Sequence, residues 1–306
     1  MSASGIAGED LELFARSLRA ATEEHTGDPL DAAVAELGWD DALSFDTRAA
    51  VSTRFELQGE ACARSSALDR VVAFALGLDF GDDTALVMPP IGKADAPVVD
   101  GTVHGLATSA RSSYLVVGTV VDAGTLETRP VAGLDPDLGL VEVQGDLPSA
   151  DAESVDWIAG VQLAQLALAH ELVGVSRRAL AMAREHALER IQFDQPIAKF
   201  QAVRHRLAET LVAIETTRAV LDAAWLDPSP VTAAMAKASA GRSARVAAKH
   251  CQQVLAGIGF TTEHDLHRYL RRIWVLDQLF GSSAVLTKQL GTDLLATRAL
   301  PPLLPL

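Results

Sequence analysis

The chain has 306 residues, 49% of them hydrophobic, and a formal net charge of −14 at pH 7. No uninterrupted apolar run approaches the ~20 residues that a membrane-spanning helix needs, and the acidic balance opposes binding to nucleic acid. The two cysteines are too few for a disulfide framework, and the N-terminal sequence lacks the basic and apolar segments of a secretory signal. We therefore expect a soluble cytoplasmic protein with no membrane or nucleic-acid partner.

The acidic charge is confined to the first half of the chain. Residues 1–150 contain 9 Lys and Arg against 25 Asp and Glu, a net charge of −16, whereas residues 151–306 contain 17 against 15, a net charge of +2. The second half has local basic clusters that could meet phosphate groups, and the acidic half could equally be a solvated face.

The first 70 residues predict a small helical region. In residues 9–26 the apolar side chains recur at helical spacing. Several residues have the chemistry of helix caps and stops. These are Gly27 and Gly38 as stops, Asp28 and Pro29 as an N-cap and first-turn proline, Asp46 as an N-cap, and Ser65 or Ser66 as the start of a fourth, short helix.

Between Arg70 and about Gly145 the sequence changes to short β-branched runs separated by Gly, Pro and Asp. Such runs between breakers are typical of strands, and they predict a mainly antiparallel β region. The runs are VVAFALGL, TALVMPP, TVHGLATSA, SYLVVGTVV, LETRPV and LVEVQ.

Helical periodicity returns near residue 150, and Ala-rich faces that allow close helix approach predict a bundle. The expected helices cover residues 151–190, 197–226, 231–256, 263–280 and 283–298. The whole sequence therefore predicts an α+β, mainly α fold. Its expected parts are an N-terminal helical domain (1–70), a short antiparallel β middle domain (71–148) and a C-terminal helical bundle (149–306).

The corner between the first two bundle helices has the chemistry of an anion site. Pro196 pushes the preceding residue out of helical geometry, and Arg190, Phe193 and Gln201 gather around this break. A guanidinium offers a rigid donor fork for phosphate, a ring offers a stacking face, and an amide both donates and accepts. These residues suit an anionic, partly flat ligand, and the alternative is a purely structural hairpin clamp with the arginine at the helix C-terminus.

Two sequence blocks carry a family resemblance. The run ALERIQFDQPIAKFQ resembles the pattern Arg-x-x-Phe-Gly-x-x-Ile-x-x-x-Gln of the acyl-CoA dehydrogenase family, with Asp194 in place of the glycine. The run QVLAGIGFTTE, which starts at Gln253, resembles that family's Gln-x-x-Gly-Gly-x-Gly-Tyr/Phe-x-x-Glu signature. Both blocks occur in the family's order, and the resemblance covers roughly the last half of the chain.

The resemblance implies FAD as the cofactor. In the family these positions hold the pyrophosphate and adenosine half of FAD for the neighbouring subunit. The implied cofactor-binding residues are Arg190, Phe193, Gln201, Gln253 and Gly257. Gly257 could instead serve only as a helix C-cap. The implied reaction is oxidation of an acyl-CoA thioester to the 2,3-enoyl-CoA, with electron-transfer flavoprotein as the electron acceptor.

The same resemblance places the catalytic base at positions where this chain has no carboxylate. In most members the base is a glutamate that corresponds to Phe280, and in a minority it lies on the first bundle helix, at the positions of Ala164 and Gln165. The β region also lacks the Thr-Glu-Pro-x-x-Gly-Ser-Asp and Trp-x-Thr/Ser-Asn segments that hold the flavin ring in the family. A base is needed to remove the α-proton, so no catalytic residue is assigned to this chain.

We therefore expect a division of labour between two chains. The family includes α2β2 heterotetramers of actinobacterial steroid catabolism, and this chain resembles their smaller subunit, which lacks the base, in its truncated N-terminal domain and reduced middle domain. The expected partner is a larger catalytic subunit that shares FAD, and the expected substrate is a steroid or other lipid acyl-CoA. The alternatives are a scaffold that binds no flavin and, less favoured, a stand-alone enzyme that uses Glu171 or another carboxylate.

Other charged residues are interpreted structurally. His170 lies on the apolar stripe of the first bundle helix and is expected to be a hydrogen-bonded core histidine, with Glu171 pointing elsewhere; a relocated acid/base pair is the alternative. A basic cluster in a later helix is expected to be a solvated or interface face, with a role near CoA phosphates as the alternative. It comprises His264, His267, Arg268, Arg271 and Arg272. The remaining histidines lack partners at metal-ligand spacing, so no metal is expected.

Overall fold

The structure is a computed structural model that describes residues 8–147 and 155–298. The helices of these residues are α1 (Gly8–Glu24), α2 (Asp28–Glu36), α3 (Trp39–Phe45), α4 (Thr47–Ala61), α5 (Ala67–Leu76), α6 (Trp157–Glu189), α7 (Gln201–Leu226), α8 (Pro230–Leu255), α9 (Leu266–Gln278) and α10 (Ser283–Thr297). The strands are β1 (Thr84–Leu86), β2 (Val98–Val99), β3 (Thr102–Ala107), β4 (Ser113–Val116), β5 (Thr119–Asp122), β6 (Glu127–Pro130), β7 (Val141–Asp146), β8 (Ile191–Gln192) and β9 (Gln195–Pro196). The prediction of a mainly helical α+β fold is confirmed.

The chain divides into two compact units. The first unit comprises Met1–Ser65, His170–Arg218 and Ala240–Leu276, and the second comprises Ser66–Ala169, Ala219–Ser239 and Asp277–Leu306. The long helices α6, α7 and α8 each give part of their length to one unit and part to the other.

In the first unit, α1 to α4 bury large apolar side chains. Leu18, Leu30 and Phe55 are fully buried and Trp39 is nearly so, while the indole Nε1 of Trp39 donates a hydrogen bond to the carbonyl of Ala50 at 3.2 Å. Because the indole has both an apolar body and a satisfied N–H, it can fill this core without a desolvation cost for an unpaired donor.

The helices α4 and α6 make backbone-to-backbone contact in the first unit. A Cβ atom at Gly59 would overlap the carbonyl oxygen of Glu171, and a Cβ atom at Gly174 would overlap the carbonyl oxygen of Glu56. Neither glycine has a positive φ, so close approach and not turn geometry explains both residues. The two glycines therefore set the spacing between α4 and α6.

The second unit contains two small sheets. One has the strand order β1-β4-β5 and the other β2-β3-β7-β6. The pairing is antiparallel except between β1 and β4, which are parallel, so the prediction of a mainly antiparallel region is confirmed. The buried core of this region includes Val103, Tyr114, Val116 and Val143.

Several local predictions need correction. The run VVAFALGL, predicted as a strand, belongs to helix α5, because Leu68, Val71 and Val72 are buried at helical spacing and Gly77, with φ of 69°, ends the helix. The cap of α2 is Gly27 and not the adjacent aspartate. Helix α3 was not predicted. The predicted cap at Asp46 is confirmed, since its carboxylate accepts a hydrogen bond from Ala49 N at 3.0 Å.

Helix α6 has the length and hydropathy of a possible membrane span within the described part of the chain, although the sequence has no uninterrupted apolar run of that length. Its most apolar window is 78% buried inside the protein, as in the core helix of a folded domain. The predicted start of this helix at residue 151 lies outside the described residues.

The contact between α4 and α6 gives a first testable prediction. Gly174→Ala should lower the free energy of unfolding by about 3 kcal/mol, because the added methyl group forces the two backbones apart. The matched control is Gly291→Ala on α10, where an added Cβ meets no atom within 4 Å, and where helix propensity should raise stability by about 0.5–1 kcal/mol. Urea denaturation followed by circular dichroism measures both; equal effects of the two changes would contradict the close contact.

Candidate functional site

The predicted break between the first two bundle helices is a short β-hairpin. Strand β8 pairs antiparallel with β9 directly after α6 ends. The two residues between these strands, Phe193 and Asp194, have φ values of 52° and 61°, as in the type I′ turns that close two-residue hairpins. Asp194 therefore occupies a left-handed position, which favours glycine and which aspartate tolerates better than most residues.

The ring of Phe193 projects from this turn. The residue is 86% exposed, and its ring makes an edge contact with Phe200, with ring centroids 6.1 Å apart. A phenylalanine in left-handed backbone geometry is costly, and such strain is typical of functional positions. The chain leaves most of this aromatic surface uncovered.

The other two predicted residues of this block also lie at the surface. Arg190 follows the last residue of α6, and its carbonyl accepts a hydrogen bond from Ile197 N at 2.9 Å, which closes the corner. Gln201 begins α7, and its amide nitrogen lies 3.4 Å from Nε2 of His205. The side chains of Arg190 and Gln201 are both exposed.

The second block surrounds a 3-10 turn, Ala256–Phe260, after α8. Gln253 is exposed in the last turn of α8. The left-handed residue here is Ala256, with φ of 52°, so the alternative role of Gly257 as a left-handed C-cap is wrong. A Cβ at Gly259 would lie 2.7 Å from the carbonyl oxygen of Gln252, whereas a Cβ at Gly257 would meet no atom within 4 Å. Gly259 is therefore required by the fold, and Gly257 borders open space.

A histidine that was not singled out in the sequence connects the two blocks. His186 is half-buried in the last turn of α6, and burial, followed by the positive charges of His264 and Arg190, lowers its pKa. The fold therefore brings Arg190 of the first block, and His264 just after the second block, near one imidazole. A histidine four residues before Arg190 on the same helical face was the available sequence signal.

The residues at the positions of the family's catalytic base are buried in the core of the second unit. Ala164 and Phe280 are fully buried and Gln165 is nearly so. The amide of Gln165 donates a hydrogen bond to the carbonyl of Phe280 at 3.1 Å, and the ring of Phe280 stacks on Trp157 with centroids 6.4 Å apart. Gln165 and Phe280, which stand at the two alternative base positions, are therefore in contact, and neither carries a carboxylate.

A buried lysine and a buried aspartate that were not predicted support the turn around Phe280. Lys237 is fully buried, and its Nζ donates hydrogen bonds to the carbonyls of Asp277 at 3.0 Å and Gly281 at 3.3 Å. The Asp277 carboxylate accepts from the backbone N of Ser283 at 3.1 Å and from its hydroxyl at 3.3 Å. Burial lowers the pKa of Lys237 to about 8, although the charge of Asp277 acts in the opposite direction. A lone lysine in an Ala-rich run was the sequence signal.

The pair His170 and Glu171 is structural. His170 is buried, and its Nδ1 lies 3.0 Å from a carboxylate oxygen of Glu56, as expected of a hydrogen-bonded core histidine. Burial would raise the pKa of Glu56, but the hydrogen bond to His170 and the charges of His170 and Arg177 outweigh it and lower this pKa. Glu171 is 2% exposed and lies 3.7 Å from the guanidinium of Arg272.

The predicted basic face on one helix is wrong for Arg272. This residue is fully buried, and its Nη1 donates a hydrogen bond to the carbonyl of Ala63 at 2.7 Å. The other four members of the basic cluster are partly exposed, and His264 precedes α9. Among the described residues, no group of three His, Cys, Asp or Glu side chains could hold a metal ion.

The buried lysine gives a second prediction. The pKa of Lys237 is about 8 in the folded chain and 10.5 ordinarily, so between these pH values the unfolded chain binds a proton that the folded chain has released. The free energy of unfolding should therefore gain on the order of 3 kcal/mol from this residue as pH rises from 8 to 10.5. Urea titrations at several pH values, compared with Lys237→Met, measure this contribution; the same pH slope in both proteins would contradict it.

Comparison with known proteins identifies the C-terminal part of the chain. Residues 158–295 match the family model described as acyl-CoA dehydrogenase, C-terminal domain. The chain is 34% identical over 197 residues to the acyl-CoA dehydrogenase IpdE2 of Mycobacterium tuberculosis, over 64% of this chain and 59% of that protein. It is 29% identical over 184 residues to IpdE2 of Mycolicibacterium smegmatis, over 60% and 57%. The chain thus spans less than two thirds of the length of these relatives.

Solved structures share the fold. A variant of the Tcur3481-Tcur3483 steroid ACAD superposes with a TM-score of 0.77 at 21% identity, over 95% of this chain and 99% of that chain. The ChsE4-ChsE5 complex from Mycobacterium tuberculosis gives 0.70 at 21% identity, over 96% and 89%. Butyryl-CoA dehydrogenase from Megasphaera elsdenii gives 0.72 at 17% identity, over 93% and 98%. Residues 158–295 therefore form an acyl-CoA dehydrogenase C-terminal domain, and the described chain has the fold of acyl-CoA dehydrogenases.

Proposed function

We propose that this protein is a subunit of a heteromeric, FAD-dependent acyl-CoA dehydrogenase that oxidises an acyl-CoA thioester to the 2,3-enoyl-CoA. The observation that carries the proposal is a contrast between two sets of positions. The flavin positions of the family are exposed, whereas the base positions are closed by Phe280, Gln165 and Ala164. A chain built in this way can contribute to a cofactor site but has no carboxylate at either family position to remove a proton.

The exposed residues fit the adenosine and pyrophosphate half of FAD. Arg190 offers donors for a phosphate, Phe193 an uncovered ring for stacking, and the amides of Gln201 and Gln253 hydrogen bonds in both directions. Gly257 leaves room at the backbone that any larger residue would occupy. FAD, when bound, supplies the acceptor for the β-hydride; in this proposal the chain's own residues hold and orient its nucleotide end.

A second, catalytic chain is the proposed source of the base and of the flavin-ring pocket. Two of the solved structures with this fold are described as the ChsE4-ChsE5 complex and the Tcur3481-Tcur3483 steroid ACAD, which supports a partner of the same family and a steroid acyl-CoA as the substrate class. An α2β2 heterotetramer in the cytoplasm, with electron-transfer flavoprotein as the electron acceptor, completes the proposal.

The alternative function is a scaffold that has this fold and binds no flavin. Two departures from the family pattern favour it. Asp194 adds a negative charge where phosphates are expected, and Ala256 stands at a left-handed position that glycine would adopt without strain. The scaffold and the cofactor-binding subunit differ in one measurable property, the effect of the exposed residues on flavin content.

The purified chain by itself should catalyse no acyl-CoA-dependent reduction of an artificial electron acceptor, because it lacks a proton-abstracting carboxylate at either family position. The assay uses a panel of acyl-CoA thioesters with added FAD, and co-expression with a longer acyl-CoA dehydrogenase chain from the same genome that contains the missing glutamate should restore turnover. Activity of the isolated chain would contradict the division of labour.

In the co-purified complex, Arg190→Ala combined with Gln253→Ala should weaken FAD binding roughly ten- to a hundredfold, because a charge-assisted and a neutral hydrogen bond are lost. The matched control is Arg184→Ala, which removes an exposed arginine of α6. Flavin content is measured from absorbance after gel filtration. Unchanged flavin content in the double variant would favour the scaffold.

A further inference from the structure

The hairpin corner has no net positive charge of its own when its histidine is neutral. In residues 186–201 the charges of Arg190 and Lys199 are balanced by those of Glu189 and Asp194. The corner also lies at the C-terminus of α6, where the helix dipole places the equivalent of about half a negative charge. A diphosphate group adds two further negative charges, so Arg190 alone leaves the corner poorly matched to such a ligand.

Two histidines beside Arg190 can supply further positive charge. His186 lies half-buried in the last turn of α6, and its carbonyl accepts a hydrogen bond from Arg190 N at 2.9 Å, so the two residues are one helical turn apart. The charge of His264, in the segment before α9, lowers the pKa of His186, whereas the charge of Glu189, on the same helix as His186, raises it. The Nδ1 of His264 accepts a hydrogen bond from Leu266 N at 3.0 Å. In the neutral ring the proton is therefore on Nε2, which remains a donor.

We propose that His186 is a further anion-binding residue of this corner, neutral when the corner is empty and protonated when a diphosphate diester occupies it. The inference rests on the proposed function, because it takes the diphosphate of FAD as the ligand. The same positive neighbours that oppose protonation of His186 in the empty protein are neutralised by the anion, so the ligand and the proton bind with positive linkage.

The linkage fixes the direction in which the affinity for the anion changes with pH. Burial and two positive neighbours hold the pKa of His186 below its usual value in the empty protein. If the bound anion raises that pKa, the affinity for the anion increases as the pH falls, and a rise of one pKa unit corresponds to up to about tenfold in affinity. A histidine with only a packing role would give no such dependence.

The test uses the full chain and ADP-ribose as the probe. ADP-ribose has the adenosine and diphosphate diester of FAD, and its charge stays constant between about pH 5.5 and pH 8, so a change in affinity over that range reports groups of the protein. An NMR titration with ADP-ribose up to about 10 mM detects binding with a millimolar dissociation constant, which is the affinity expected when only half of the FAD site is present. We expect wild-type affinity to increase about three- to tenfold as the pH falls over this range, and the pKa of the His186 imidazole to rise when ADP-ribose is bound.

Variants assign the effect to one side chain. His186→Phe should bind ADP-ribose as the wild type does at the high end of the range and lose the increase at low pH, and His186→Gln is the second variant if the phenylalanine disturbs folding. His25→Phe, at an exposed histidine after α1, should keep the wild-type pH dependence. A pH dependence that survives both changes at residue 186, or is absent from the wild type, overturns this inference alone. Absence of saturable binding by the wild type at every pH overturns the proposed function with it.

Discussion

The direct contact between the backbones of α4 and α6 is the constraint on which the first unit depends. Gly59 and Gly174 leave no space for a side chain between the two helices, so the position of α6 is fixed by hard contact and not by adjustable packing. Around this crossing Glu56 forms a hydrogen bond with His170 and an ion pair with Arg177. The same helix ends about four turns further on at Glu189, immediately before Arg190. The backbone contact thus determines where the hairpin corner is held.

In the turn after α9, buried charged side chains bind backbone groups. Lys237 donates to two backbone carbonyls, and Asp277 accepts from the first residue of α10. A buried lysine is unfavourable unless such partners compensate for its lost hydration. Here they hold a turn whose central residue, Phe280, has φ of 51°. These hydrogen bonds hold the apolar Phe280 at the position where the resembled family has its catalytic glutamate.

Sequence patterns predicted the helices of the bundle well because long helices carry many periodic apolar residues, and the boundaries of α7, α8 and α10 are close to the expected ones. The error at α5 has a local cause. A run such as VVAFALGL contains enough β-branched residues to favour a strand, and only the buried Leu68 that precedes it restores the helical period. The parallel pairing of β1 with β4 depends on tertiary contacts that no local pattern contains.

The candidate site was predictable in a similar, limited way. Motif spacing located Arg190, Phe193 and Gln253, because a resemblance in sequence maps positions directly. It did not locate His186, Lys237 or Asp277, whose importance comes from burial and from neighbours that are distant in the sequence. The burial of Arg272 was missed for the same reason: a charged residue among other charged residues has no sequence signal that it is buried.

The residues at positions 256 and 257 bear on the choice between a cofactor half-site and a scaffold. The backbone of this chain favours glycine at position 256, where φ is 52°, and has alanine. It has no conformational need for glycine at position 257, where φ is ordinary and the space is open, and it has glycine. At such a position an alanine would stabilise the fold by about 0.4–1 kcal/mol through the unfolded state. Folding therefore does not explain Gly257, whereas the proposed approach of a ligand or partner chain to the backbone there would.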